Sequence, residues 1–388
     1  MKTLWQQHIN QALDNRRQQQ ALRSRTARQS DTLPPLISHG GKTLLNFGSN
    51  DYLGLSRHPD IITAWQQALA EYGCGSTGSP LLCGHTEAHE NLESELARWQ
   101  GYDAALLFAG GFAANQAVLL SLLDKDAVFL GDKLCHASMQ EAAALSGALF
   151  RRFPHQDYRR LETLLQQYAG RRILVGSEGI FSMDGDSADL CRLQQLCREY
   201  GAWLMLDDAH GAGIRGSEGR GSANAAGIKP DILLITFGKA FGCMGSAVLC
   251  SRETAVYLTQ FARHLVYSTA MPAAQAAALS AALTAVRRAD CLRDQLDSNI
   301  RLFHRLMRQN GLHNRLIPSA SPIQPLICGS NQAALTAAEK MLQQDCYTPA
   351  IRPPTVPNAQ ARLRITLSAA HREAHIIRLC ESLHHALR

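Results

Sequence analysis

Short apolar runs alternate with amphipathic stretches through the middle of the chain. The runs are Ala104 to Phe108, Ala127 to Leu130, Ala148 to Phe153, Arg172 to Gly176, Ala202 to Leu206, Ile232 to Thr236 and Ala247 to Cys250. Each has the length of a strand, and the segments between them, roughly 10 to 20 residues long, carry helical spacing. Continuous apolar strands separated by amphipathic helices predict a mostly parallel sheet covered on both faces, an α/β fold with seven strands.

Upstream, residues 1 to about 30 read as one polar helix that ends before Pro34-Pro35, since proline stops helices and biases its predecessor to extended structure. Lys42 to Phe47 is extended, and Gly48 to Gly54 is rich in turn residues. A helix from His58 to Tyr72, a Gly/Ser-rich loop from Gly73 to Gly84 and a helix from Glu87 to Gln100 follow. Downstream, Pro272 to Asn310 reads as a long helical region, and strand-like Ile323 to Ile327 and Ala361 to Leu367 lie among further helices. The expected organisation is an N-terminal helix and extended arm over 1–50, a large domain over 51–289 and a smaller α+β domain over 290–388.

With 46% hydrophobic and 19% charged residues in 388, the chain can build a large core, and disordered or collagen-like classes drop out. No apolar run reaches the roughly 18 to 20 residues of a membrane span. The N-terminus is polar and carries Asp14, unlike a secretory signal, so a cytoplasmic protein is expected. The 11 cysteines include no C-x-x-C pair and read as small buried hydrophobes of a reduced compartment. The net charge of +6 favours anionic ligands without demanding nucleic acid, and part of it is local, at Arg16, Arg17, Arg23, Arg25 and Arg28.

In open α/β sheets ligands bind outside the carboxyl ends of the strands, so the polar residues that close the apolar runs are the candidates for chemistry. Lys239 follows the buried run Ile232 to Ile235 and sits between Gly238 and small or apolar neighbours. Partial desolvation there favours the neutral amine that Schiff-base chemistry needs. A second buried run, Trp203 to Leu206, ends in Asp207. An imine-forming lysine and an aspartate that keeps a pyridine nitrogen protonated are the two groups pyridoxal phosphate requires. A buried Asp207–Lys239 ion pair is the alternative. Gly110-Gly111-Phe112 opens a helical stretch whose free N–H groups suit a phosphate, or is a plain turn. His136 can stack on a planar ring or be a surface residue; His210 lies three residues beyond Asp207; Ser182 and Thr236 are hydroxyls at strand ends, equally explained as caps.

Five segments in register then carry a resemblance: Ser49-Asn50-Asp51-Tyr52-Leu53-Gly54-Leu55, Gly111-Phe112-Ala113-Ala114-Asn115, Ser182-Met183-Asp184-Gly185-Asp186, Asp207-Asp208-Ala209-His210-Gly211 and Thr236-Phe237-Gly238-Lys239. Together they resemble the pyridoxal-phosphate-dependent α-oxoamine synthases from end to end. The resemblance implies the aspartate-aminotransferase fold (fold type I) and a homodimer with active sites at the subunit interface. It implies that Lys239 holds the cofactor, Asp207 pairs with its ring nitrogen, His210 bonds its ring oxygen and His136 stacks on the ring. Ser182, Thr236, Gly111 and Phe112 would line the cofactor site, and Ser268 and Thr269 would reach the phosphate in the partner subunit. Arg23, Asn50, Thr355 and Arg364, with His136, match substrate positions. Phe261 to His264, Ile323 to Pro325 and Ile351 to Pro357 point to the branch that condenses L-alanine with a pimeloyl thioester on coenzyme A or acyl carrier protein. The rival branch uses glycine with acetyl or succinyl coenzyme A. Pro80 departs from the arginine that many relatives carry in the glycine loop.

Three other readings weaken on inspection. Gly211 to Gly216 fits G-x-G-x-x-G with Asp231 20 residues on, but Asp207 to His210 intervene after the strand and the following segment is a poor helix. His85 and His89 flank Glu87 without the order of a zinc helix. The early arginines lack the interleaved aromatic residues of a nucleic-acid-binding arm.

Overall fold

The computed structural model describes residues 3–27 and 32–387, and Arg28 of the early arginine group lies outside them. The chain divides into two compact units, one formed by residues 50–182 and 186–294, the other by 1–49, 183–185 and 295–388.

The first unit is built on a seven-stranded sheet. Its spatial order is Ala104–Phe108, Ser246–Cys250, Ile232–Thr236, Trp203–Asp207, Arg172–Glu178, Ala127–Asp132 and Leu149–Phe153. All neighbours pair in parallel except Ser246–Cys250, which runs antiparallel to both its neighbours. Every residue of Ala127–Asp132, Ile232–Thr236 and Ser246–Cys250 is buried. That burial on both faces explains why these strands read as unbroken apolar runs instead of alternating ones. The core on one face joins Phe108, Val118, Phe129, Leu174, Leu234 and Val248.

The parallel strands share one direction, so Asp132, Glu178, Asp207 and Thr236 emerge together at the carboxyl edge. Register fixes their spacing, with Glu178 opposite Asp207 and Asp207 opposite Leu234, two residues short of Thr236. Helices start directly above this edge at Gly111 and Ala137.

The second unit holds a hairpin, Leu36–His39 with Lys42–Asn46, to which Cys346–Tyr347 adds in parallel. A separate antiparallel sheet orders Ile323–Gly329, Ala361–Thr366 and Ala350–Ile351. Arg362, fully buried, donates to Asp184 Oδ1 at 2.6 Å and to the Met183 carbonyl at 3.2 Å, tying residues 183–185 into this unit.

The strands and most helices fall where the hydrophobic pattern sets them, with three adjustments. The N-terminal helix spans Leu4–Gln18 and not residues 1 to 30. Gln20 takes a left-handed conformation (φ 52°), and the Ala21 N–H turns back to the Arg16 carbonyl, a closure that caps the last turn. The region from Pro272 to Asn310 is two helices, Ala273–Arg287 and Asp290–Gln309. The glycine loop contains one wide helical turn, Pro80–Gly84. All 11 cysteines are free thiols, five of them buried. No helix among the described residues is long and apolar enough to cross a membrane.

The G-x-G-x-x-G segment has a different use from dinucleotide binding. Asp208 is fully buried, and its Oδ2 accepts from the Ser222 N–H at 2.6 Å. A Cβ on Gly211 would stand 2.1 Å from Asp208 Oδ1, and one on Gly221 (φ +98°) would stand 2.1 Å from Oδ2. These glycines exist to let backbone close around a carboxylate. Gly211→Ala should therefore destabilise the protein by about 1 to 3 kcal/mol in chemical denaturation, the cost of overpacking a tight interior. Gly75→Ala, where a Cβ meets nothing within 4 Å, should stay within about 0.5 kcal/mol of the parent. Equal effects at the two positions would refute the cage.

Candidate active site

Asp207 anchors the carboxyl edge of the sheet. It is 6% exposed, and both oxygens accept hydrogen bonds, Oδ1 from the Ala209 N–H at 3.0 Å and Oδ2 from Asn115 Nδ2 at 2.8 Å. Asn115 stands one turn into the helix Gly111–Leu122. At the start of that helix the first N–H groups have no intrahelical acceptor, which suits an anion. The backbone at Gly111 approaches the neighbouring strand so closely that a Cβ there would lie 2.9 Å from Thr236 Cγ2. Thr236 is itself buried, and its Oγ1 has no hydrogen-bond partner.

His136 caps the helix Ala137–Leu145, its Nδ1 accepting from the Ser138 N–H. Its ring meets Phe112 edge to face, with centroids 6.3 Å apart. His136 is exposed, yet partial burial lowers its pKa, Asp207 opposes that shift and Lys239 adds to it. His136 thus lies within electrostatic reach of both groups that the sequence singled out. Glu178, on the neighbouring strand, reports the same neighbourhood. Burial raises its pKa well above the carboxylate range, Asp207 raises it further, and Lys239 and the N–H groups of His136 and Ser182 pull it back. His210 is buried, its Nδ1 2.6 Å from the Tyr52 hydroxyl, which in turn lies 3.3 Å from Asn50 Oδ1.

Gly111, Phe112, His136, Ser182, Asp207, Thr236 and Lys239 therefore gather at one sheet edge, with Asn50 and His210 joined through Tyr52. Ser268 and Thr269 make no hydrogen bond to that cluster among the described residues. They line a cavity of about 260 Å³ with Pro80, His85, His89 and Glu93. In the other unit, Arg23 Nη2 donates to Thr355 Oγ1 at 2.8 Å, joining two candidate substrate residues 332 positions apart. Arg364 is buried there and donates to Thr366 Oγ1 at 3.1 Å.

The zinc reading fails on chemistry. His89 Nδ1 accepts from the Thr86 N–H and Nε2 bonds the Met271 carbonyl at 2.8 Å, so neither nitrogen is available to a metal. His85, Glu90 and Glu93 have ligand atoms within 4.8 Å of one another, and His85 Nε2 already pairs with Glu90 at 3.1 Å.

Several residues of the edge carry no role on inspection of the sequence. Glu178, Asp208, Asn115, Ser138 and Tyr52 are found only through their contacts. So is a bridge in which His155 Nδ1 meets Asp132 Oδ1 at 2.9 Å and Nε2 meets Asp186 Oδ2 at 2.7 Å. Asp132 begins the turn leading to His136, and Asp186 closes the loop that starts at Ser182, so His155 holds both. Polar residues immediately after strands were the only available signal.

Comparison with known proteins shows the family and the fold. Residues 42–383 match the family model "Aminotransferase class I and II". The chain is 51% identical over 382 residues to the 8-amino-7-oxononanoate synthase of Pectobacterium atrosepticum, covering 98% of each. A solved 8-amino-7-oxononanoate synthase from Francisella tularensis aligns with a TM-score of 0.77 at 30% identity, over 88% of this chain and 97% of that one. A serine palmitoyltransferase from S. paucimobilis with a bound PLP–myriocin aldimine aligns with a TM-score of 0.93 at 25% identity, over 99% and 98%.

The His155 bridge has a measurable pH signature. Burial pulls the imidazole down, but the hydrogen bonds it donates to Asp132 and Asp186 outweigh that and push the pKa up to about 10 from 6.5. The folded protein keeps a proton that the unfolded chain releases, so the stabilisation is complete below about pH 6.5 and is lost as pH rises towards 10. Chemical denaturation between pH 6 and 10 should show His155→Gln less stable than the parent at pH 6, with the gap closing towards pH 10. A gap that stays constant with pH would show that no bound proton underlies the bridge.

Proposed function

The chain belongs to the aminotransferase class I and II family and, within it, to the 8-amino-7-oxononanoate synthases; from that premise we propose how its residues work. The reaction is the decarboxylative condensation of L-alanine with a pimeloyl thioester, on coenzyme A or acyl carrier protein. It gives 8-amino-7-oxononanoate, carbon dioxide and the free carrier, a step of biotin biosynthesis. The cofactor is pyridoxal phosphate. The observation that carries the reading is the joint reach of Asp207 and Lys239 to His136 at one sheet edge.

The edge fits that cofactor on its own chemistry. Asp207 is an acceptor for a protonated ring nitrogen, held in place by Asn115 and Ala209. Lys239 is the amine for the aldehyde carbon. The N–H groups at the start of the Gly111 helix and the partnerless Thr236 hydroxyl suit the phosphate end. His136, braced by Phe112, would cover one ring face, and His210, braced by Tyr52, would meet the ring oxygen. Ser182 lies by the Glu178 carboxylate at the rim. When bound, the cofactor supplies an electron sink for the carbanion left at the amino acid's α-carbon.

The remaining work belongs to the chain. The Lys239 amine would take the α-proton of the amino acid and later return one, as general base and acid. Asp207, held by Asn115 and Ala209, would accept from the ring nitrogen, which would keep the sink effective. Arg364 binds the amino acid carboxylate, and Asn50 orients the acyl carbonyl. Arg23 and Thr355, already hydrogen-bonded to each other, receive the polar end of the acyl group. In a homodimer with interface active sites, Ser268 and Thr269 of one protomer serve the phosphate held by its partner. The unit formed by 50–182 and 186–294 is accordingly the cofactor-binding domain.

Two measurements test this. Lys239→Ala should lose the visible imine band of the purified protein and at least about a hundredfold in kcat, the scale of a missing general acid and base. Thiol release from pimeloyl thioester should require L-alanine. Turnover with glycine in its place would move the chain to a sister synthase, and full activity in Lys239→Ala would remove the lysine from the mechanism.

A further inference from the structure

Between Asp207 and His136 lies a chain of hydrogen bonds whose directions can be worked out. Asn115 Nδ2 is 2.8 Å from Asp207 Oδ2 and 2.9 Å from Ser138 Oγ, and Ser138 Oγ is 2.8 Å from His136 Nδ1. Asn115 and Ser138 are 1% and 0% exposed, so solvent supplies neither donors nor acceptors to them. A carboxylate only accepts, so the Asn115 group that faces Asp207 must be the amino group. Turning the amide over would place its oxygen against a carboxylate oxygen. With the amide so fixed, one Nδ2 hydrogen goes to Asp207 and the other to Ser138 Oγ.

Ser138 then has one hydroxyl proton left to give, and His136 Nδ1 is the atom it faces. The Ser138 backbone N–H points at the same nitrogen from 3.3 Å. Two donors converging on Nδ1 require it to be a lone-pair acceptor, which leaves the ring proton on Nε2. Among the described residues Nε2 has no protein partner, and the residue is exposed. The charged groups that reach the ring are Asp207, which favours the imidazolium, and Lys239, which opposes it. The Glu178 carboxyl lies behind the His136 backbone.

We propose that Asn115 and Ser138 are positioning residues that hold His136 as the neutral, Nε2-protonated imidazole and tie that state to the Asp207 carboxylate. The ring that covers the cofactor site is then uncharged and presents an N–H donor to it. A neutral ring can lie against a protonated pyridine without charge repulsion, and its donor is available to a substrate oxygen. Protonating Nδ1 would force the Ser138 hydroxyl to turn away and leave two buried donors competing, so the relay resists it.

The relay is read from the chain alone, and only its kinetic consequence rests on the function proposed above. The deciding measurement is the long-range nitrogen–proton NMR spectrum of ring-¹⁵N-histidine protein without added cofactor. The His136 signal is identified by its loss in His136→Gln. Between pH 6 and 8 the parent should show an unprotonated Nδ1 and a protonated Nε2. Ser138→Ala should bring the Nδ1-protonated form into exchange and raise the ring's titration midpoint by about one pH unit, the scale of one lost hydrogen bond, whereas Ser138→Thr should retain the parent pattern. An Nδ1-protonated or doubly protonated ring in the parent at pH 7 overturns the proposal, and this holds even if Ser138→Ala does not fold. A Ser138→Ala ring signal identical to the parent's also overturns it. In the holoenzyme, Ser138→Ala and Asn115→Ala should move the acid limb of the kcat profile upward by a similar amount. A loss of kcat uniform with pH would assign them a purely structural role. If the tautomer is as stated but the holoenzyme makes no product, the relay stands and the assigned activity falls.

Discussion

The carboxylate of Asp207 is the constraint around which the first unit is arranged. It is buried at the end of a central strand, where an isolated charge is costly unless donors surround it. The donors come from two directions, the backbone turn at Ala209 and the side chain of Asn115 on the Gly111 helix. That helix is where it is because residue 111 lacks a side chain and lets the backbone pass over Thr236. One residue's electrostatic need and another's missing Cβ therefore set how closely the Gly111 helix approaches the carboxyl edge of the sheet.

Asp207 also determines the state of its neighbours. Glu178 and Asp208 flank it in register and in sequence, and both are buried. Burial raises both, Asp208 to about 7, and Asp207 adds to the rise in each. Three carboxyl groups in one dry edge cannot all ionise cheaply, and burial pushes Glu178 and Asp208 towards the neutral acid. Asp208 takes the opposite solution to Asp207, enclosed by glycine backbone instead of being presented to a ligand. The adjacent pair thus divides its labour, Asp208 holding the loop at Ser222 and Asp207 tying the Gly111 helix to the sheet edge.

Much of this was legible in the sequence, and the limits have physical causes. The seven strands could be read because burial on both faces leaves continuous apolar runs with polar residues at their ends. Lys239 and Asp207 stood out because each follows such a run, where an ionisable group needs a reason. The end of the first helix was misplaced because a left-handed Gln20 leaves no compositional mark. Gly211 to Gly216 imitated a dinucleotide fingerprint because the glycine pattern records close backbone approach and not what is approached. Here that is a carboxylate of the same chain. The hydrogen bond between Arg23 and Thr355 spans 332 positions and has no local signature.

The hydrogen-bonded residues around the site illustrate the same limit more sharply. Ser138 and His155 are ordinary polar residues in the sequence, and Tyr52 and Asn115, though inside the recognisable segments, carry no assigned role there. Their roles follow from proton inventory, which exists only once donors and acceptors are placed. A carboxylate cannot donate, an amide can donate only from one end, and a hydroxyl has one proton. Given Asp207 as the fixed acceptor, those three facts leave a single consistent assignment as far as His136. On the other flank His155 is bound by carboxylates on both nitrogens and keeps its proton to about pH 10, while His136, offered two donors at Nδ1, is held without one. Two histidines on flanking segments of the same edge thus take opposite charge states, each decided by whether its neighbours accept or donate.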